Sequence, residues 1–408
     1  MKNKFQISVL ITGVVLFLIP SVIVAQDFPQ WRGANRDGKV TGFNVPQKWP
    51  KELTQTWKVT VGFGDASPVI VGQKLYVFTR QEDKEILRCL DANTGKEIWK
   101  DSYVTGAVTG PPSSHPGPRS TPTVAEGKVV TLGVNGILSC LDANTGKVVW
   151  RKEEYTGELP QYYTGMSPII VDGLCIAHLG GTTNGKVLAF ELATGNVKWK
   201  CEGYGPAYAS PVLMTVDGKK HILIQSDKNL MAIAVSDGKI QWQIPTAPEK
   251  RFYNSATPVI NGQTVFYTGQ GIGTIAVKVE KKGEGFVTSE IWHNSDLGTS
   301  YNTPVLKDGS LYGLTQAGKL FCIDAQTGKT AWADTSMNKT FGAILDAGPV
   351  MVALPSSSEL IVYKPDIKAY SEIIRYKVAE TPVYAHPLLS GNHIYVKDNE
   401  TLIMWTVQ

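Results

Sequence analysis

Seven times along the chain, side chains able to do chemistry stand a few residues ahead of a Ser-Pro, Thr-Pro or His-Pro dipeptide. Asp65 precedes Ser67-Pro68, His115 and Arg119 precede Thr121-Pro122, and Tyr162 and Tyr163 precede Ser167-Pro168. Tyr208 leads into Ser210-Pro211, and Arg251, Tyr253 and Asn254 into Thr257-Pro258. Tyr301 and Asn302 precede Thr303-Pro304, and Tyr384 stands before His386-Pro387. If such loops converge, Tyr, Arg and Asn suit a polar or anionic ligand, a sugar, or the anchor of a peptide contact. The competing reading is that they fill an interior and satisfy one another's hydrogen bonds. His115, in PPSSHPGPR, reads as a surface histidine rather than a ligand.

Sharper catalytic signatures are missing. There is no Ser-His-Asp order, HExxH, phosphate-cradling Gly loop or EF-hand string. GQGIG at Gly269–Gly273 reads as a hairpin turn, because no helical pattern follows it. The five cysteines, Cys89, Cys140, Cys175, Cys201 and Cys322, show neither paired disulfide spacing nor a CxxC metal pattern, and are expected as small buried apolar residues. Lys plus Arg is 40 against 36 Asp plus Glu, without a basic block, so nucleic acid is not an expected partner.

The elements that must position these residues repeat. CLDANTGK occurs at Cys89–Lys96 and again at Cys140–Lys147, with looser copies at Phe190–Trp199, Ala234–Trp242 and Cys322–Trp332. Each copy runs into a Trp, and Trp57, Trp99, Trp150, Trp199, Trp242, Trp292 and Trp332 recur roughly every 40–50 residues, with Tyr376 in the same place near the end. Within one period, Pro122–Ala125, Val129–Leu132, Ile137–Leu141 and Val148–Trp150 read as four short strands divided by Glu-Gly, Asn-Gly and Thr-Gly turns. The octapeptide is the third turn: Asp142 can accept from backbone two residues on, and Gly146 supplies a positive φ. Gly95, Gly195, Gly238 and Gly328 hold the same position in the other copies. The Trp falls on the outermost strand, where an indole can cover the gap between neighbouring sheets.

Four-stranded units at this period predict an all-β, eight-bladed β-propeller. The eighth start is a degenerate copy near Gly342-Ala343. The last unit offers only three strands, and Leu53–Thr60 is expected to supply the fourth by pairing with Thr401–Val407. Trp is never followed by Asp, so these are not WD-type repeats. Ahead of the propeller, expected over 53–408, lies a lead-in over 26–52. Residues 1–25 read as a signal peptide cleaved after Ala25, the alternative being a retained anchor helix. No Cys lies near that junction, and nothing later is long and apolar enough to span a bilayer as a helix.

Leu-Asp-Ala-x-Thr-Gly-Lys-x-x-Trp, at Leu90–Trp99 and Leu141–Trp150, resembles the repeat of the PQQ-like (pyrroloquinoline-quinone-type) propeller family. Phe28–Gly38 is similar to the lead-in of exported bacterial members. The resemblance implies eight blades but not one function. One branch of the family comprises quinone- and Ca²⁺-dependent alcohol or sugar dehydrogenases. The other is non-catalytic, similar to the lipoprotein that assists outer-membrane β-barrel assembly. Asp65 alone is acidic among the candidate residues, too few for Ca²⁺, and Arg119 and Arg251 would meet only part of the need of a tricarboxylated quinone. The expectation is therefore a periplasmic or extracellular binding module without cofactor or metal, for a protein or cell-envelope polysaccharide partner. The quinone dehydrogenase is the alternative, with a carbohydrate-active enzyme behind it.

Overall fold

The computed structural model describes residues 27–246, 254–336 and 338–407. The proposed signal segment, Arg251 and Tyr253 therefore lie outside the described residues. Eight separate four-stranded antiparallel sheets stand around one axis, seven of them built from consecutive strands. Only a short 3₁₀ turn at Pro111–Ser114 departs from strand and loop among the described residues. In the second blade the strands are Thr123–Ala125, Lys128–Leu132, Leu138–Asp142 and Val148–Lys152, within two residues of the sequence reading. GQGIG is a hairpin turn, with Gly269 paired to Gly273.

The eighth blade closes as expected. Thr54–Thr60 pairs antiparallel with Thr401–Thr406, giving an outer strand from the chain start to three inner strands from its end. The pairing puts both ends of the propeller in one sheet, so no blade is left with a missing strand.

The octapeptide does two jobs. Asp142 Oδ1 accepts from the backbone N–H groups of Asn144 and Thr145 and from the Thr145 hydroxyl, closing the turn, and Asp91 and Asp324 repeat the pattern. Gly146 has φ +73, and a Cβ there would lie 2.5 Å from the Trp99 ring of the blade before. Gly95, Gly195, Gly238 and Gly328 meet Trp57, Trp150, Trp199 and Trp292 in the same way. The glycine is required by conformation and by the indole resting on it. The Trp150, Trp199, Trp292 and Trp332 indole N–H groups donate to backbone carbonyls of the next blade at 2.8–3.0 Å. Trp57 does so to Ala92 at 3.2 Å, so five of the repeated indoles link one blade to the next, while the N–H groups of Trp99 and Trp242 make no such bond.

A β-bulge immediately before each of these Trp residues sets their aim. Cys89 faces Trp99 and Leu90 faces Glu97, so Ile98 is extra; Cys140 with Trp150 and Cys322 with Trp332 repeat this arrangement. All five cysteines are buried and free, and burial pushes the thiols of Cys89 and Cys140 up to about 12.

Candidate functional site

The Ser/Thr-Pro dipeptides begin the innermost strands and join them hand to hand. The backbone N–H of Ser67 donates to Thr121 Oγ1, Thr121 to Ser167 Oγ, Ser167 to Ser210 Oγ, Ser210 to Thr257 Oγ1 and Thr257 to Thr303 Oγ1, at 2.9–3.1 Å. His386 N–H donates to Ser67 Oγ across the closure. The seventh blade has no hydroxyl at Ala343. There Asn302 makes the junction, donating to Leu314 and Thr340 carbonyls and accepting from Gly342 N–H. A hydroxyl accepts this bond and a following Pro brings no N–H to be satisfied, which is why this dipeptide recurs.

Inside this ring sits the lead-in, which sequence reasoning treated only as a preceding segment. Phe28 pairs with Ile70 of the first blade, Lys39 bridges to Asp346 of the seventh and Phe43 to Gly391 of the eighth. Phe28, Val40 and Phe43 belong to one apolar cluster with those blades. Between the contacts the chain turns through Arg32 and Arg36, both with positive φ and with only 0% and 3% of their surface exposed. Arg32 donates to the carbonyls of Thr303, Pro304 and Asp37. Arg36 donates to those of Ser167, Pro168 and Pro211 and to Thr123 Oγ1. Burial holds Arg32 down at about 10 and Arg36 at about 9. The two arginines plug the axis by satisfying dipeptide carbonyls. Nothing but their presence in the short GANRDG-containing lead-in could have flagged them, since neither has a sequence-visible charge partner.

Above the plug opens a funnel of about 410 Å³, lined at its base by Trp31 and around its wall by the loops that enter the inner strands. Asp65, His115, Arg119, Tyr208, Tyr301, Asn302, Tyr384 and His386 all reach it, as does Tyr162. His115 is not a solvated surface residue. Its Nδ1 lies 2.8 Å from Asp65 Oδ2, and its ring meets Tyr384 edge-on at 4.7 Å. The Asp65 hydrogen bond draws the His115 pKa up. His386 contacts Trp31 edge-on at 5.6 Å, and burial depresses its pKa to about 3, keeping it neutral. Arg119 donates to the carbonyls of Tyr162 and His115, and its pKa is lowered by burial.

Two expected residues stand elsewhere, and a third is committed to the frame. Tyr163, with φ +63, turns away from the funnel and its hydroxyl accepts from Thr109 N–H. Asn254 donates to Ser226 and Asp227 carbonyls and its own carbonyl accepts from Tyr208 and Ala209, so it clamps backbone while Ser255 lines the cavity. Asn302 lines the wall, but its amide is committed to the blade junction. Phe341, missed from sequence, stacks on Tyr301 at 4.4 Å and 14°, and both rings are about 40% exposed (39% and 41%). A Phe beside the degenerate dipeptide carried no repeat signal to mark it.

The funnel wall offers a divalent ion little. Asp65 is the single carboxylate among the lining residues and is engaged by His115. No group of three His, Cys, Asp or Glu able to hold a metal occurs among the described residues. The donor set does not fit the Ca²⁺ that accompanies a bound quinone.

A family model described as outer membrane protein assembly factor BamB matches residues 36–202 and 83–334. The outer membrane protein assembly factor BamB of Yersinia pestis is 21% identical over 86% of this chain and 78% of its own length. Among solved structures, BamB from Moraxella catarrhalis superposes with a TM-score of 0.65 at 13% identity, covering 87% of this chain and 98% of that one. The quinohemoprotein alcohol dehydrogenase of Comamonas testosteroni gives 0.70 at 14% identity, covering 93% and 80%. Likeness at that identity speaks for the shared propeller alone.

Proposed function

Because the chain belongs to the PQQ-like propeller family described as outer membrane protein assembly factor BamB, we propose that it is an exported, non-catalytic binding module of the cell envelope. Its funnel-bearing face docks a protein partner, by analogy with relatives whose names place them in outer-membrane protein assembly. In this reading residues 1–25 direct export, and the lead-in and propeller work as one rigid body. No cofactor takes part.

One observation carries the reading. Key polar groups of the funnel are spent on architecture, Arg119 and Asn302 on backbone carbonyls and Asp65 on His115, while the Tyr301–Phe341 stack at its rim is left half-exposed. A catalytic site needs groups left free and aimed at a reacting atom; a contact surface needs exposed aromatic anchors on a rigid frame. The funnel supplies the second. No helix among the described residues is long and apolar enough to cross a membrane.

The test is photo-cross-linking in the native envelope. A photoreactive residue at position 301 is expected to capture one discrete envelope protein, whereas the same residue at position 96, in an exposed Thr-Gly turn, captures none. Equal capture at both positions, or none at 301, would contradict docking through the funnel face.

A further inference from the structure

Four cationic side chains gather around and beneath the funnel, none of them in a direct ion pair among the described residues. Arg32 and Arg36 are bound to carbonyls, the Thr123 hydroxyl and the Gln30 amide oxygen. Arg119 is bound to two carbonyls in the wall. Lys397, with 1% of its surface exposed, donates its Nζ protons to the carbonyls of Gly64, Asp398 and Asn399 directly under the Asp65 loop. None of the four has a carboxylate oxygen within 4 Å among the described residues; the only funnel-lining ion pair is His115 with Asp65. At longer range Asp65 lies near both Arg119 and Lys397 and is itself paired with His115, while Asp37 lies near Arg32, Asp398 and Glu400 near Lys397, and Glu85 near Arg119. Glu85 is itself buried and held toward its neutral form by that burial, with Tyr103 donating to it.

Carbonyl dipoles accept most of the hydrogen-bonding protons of these cations without cancelling their charge, and the funnel mouth opens that charge to an arriving ligand. At that mouth stand Tyr301 stacked on Phe341, with Tyr384 edge-on to Phe341 at 5.4 Å. Cations without direct ion pairs below and aromatic faces above suit one ligand chemistry: a negative group attached to an aromatic body.

We propose that the funnel receives an acidic, aromatic-bearing peptide segment of the partner protein, with its ring on the Tyr301–Phe341 platform and its carboxylate directed down the axis. This inference rests on the docking reading above and specifies what is docked. The cations are buried by the fold, so they need no rearrangement to act. They attract through the field rather than through new contacts, which makes the attraction salt-dependent.

Calorimetric titration of the purified chain with capped pentapeptides tests it. Gly-Asp-Phe-Glu-Gly is expected to bind; Gly-Asn-Phe-Gln-Gly and Gly-Asp-Ala-Glu-Gly are each expected to bind at least about tenfold more weakly, and Gly-Lys-Phe-Lys-Gly not at all. Raising the salt should weaken the acidic peptide and leave the neutral one unchanged. The exposed double substitution Tyr301→Ala, Phe341→Ala should weaken the acidic peptide about tenfold while melting like the parent. Equal binding of the acidic and neutral peptides, tighter binding of the lysine peptide, or an unaffected double variant would overturn the inference. If cross-linking at position 301 still captures an envelope protein while the peptides show no charge preference, this inference fails and the docking reading stands. Tight retention of a carboxylated quinone with no peptide binding would overturn both.

Discussion

At the residue scale, one side chain settles several blades at once. Arg36 reaches carbonyls of the third and fourth blades and a hydroxyl of the second. Arg36→Met removes every one of those donors and leaves buried carbonyls unpaired, so it should lower stability by about 3 kcal/mol or more in chemical denaturation. A parent-like midpoint would mean that water replaces the guanidinium. Gly146→Ala adds a Cβ against the Trp99 ring at a positive φ, and should cost more than about 1 kcal/mol. Titration adds a third expectation. His178 is fully enclosed, its Nε2 facing the Tyr204 carbonyl at 2.8 Å, and burial lowers its pKa to about 4. The unfolded chain therefore binds a proton that the folded chain refuses between about pH 4 and the ordinary 6.5. Stability from this group is complete above pH 6.5 and falls as pH drops toward 4. His178→Gln should flatten that part of the melting profile, and an unchanged slope would assign the acid sensitivity to other groups.

At the element scale, the eighth blade depends on a strand from the other end of the chain. Removing residues up to and including Thr60 should leave the Thr401–Thr406 strand as a raw apolar edge and give an aggregating product. A soluble truncation with a cooperative melt would contradict closure by this strand. Trp150→Ala should cost about 3–5 kcal/mol, because the indole is buried between blades and also donates to Leu192. The repeat made nearly all of this legible. Turn glycines, β-branched runs and a Trp at fixed offset are local signals, and a missing fourth strand can be counted. Part of the site was legible for the same reason, since the Ser/Thr-Pro dipeptide locates each loop along the chain. It does not set which way a loop residue points. Tyr162 and Tyr163 are adjacent and chemically alike, and only the positive φ at Tyr163 decides which one lines the funnel. Arg32 and Arg36 stayed hidden because their partners are backbone carbonyls, which every residue has.

At the scale of the whole molecule, the hydroxyl relay, the indole links and the arginine plug leave an axis rigid from base to funnel. That rigidity is what a docking face requires, since little ordering remains to be done when a partner arrives. Among the described residues the funnel wall presents one carboxylate, Asp65, already engaged by His115. The most direct measurement is to incubate the purified chain with pyrroloquinoline quinone and Ca²⁺, dialyse, and record both retained quinone and alcohol- or sugar-driven reduction of an artificial acceptor. A binding module is expected to retain no stoichiometric quinone and to reduce nothing. Stoichiometric quinone with acceptor reduction, both lost in Arg119→Ala, would contradict the account and make the chain a dehydrogenase.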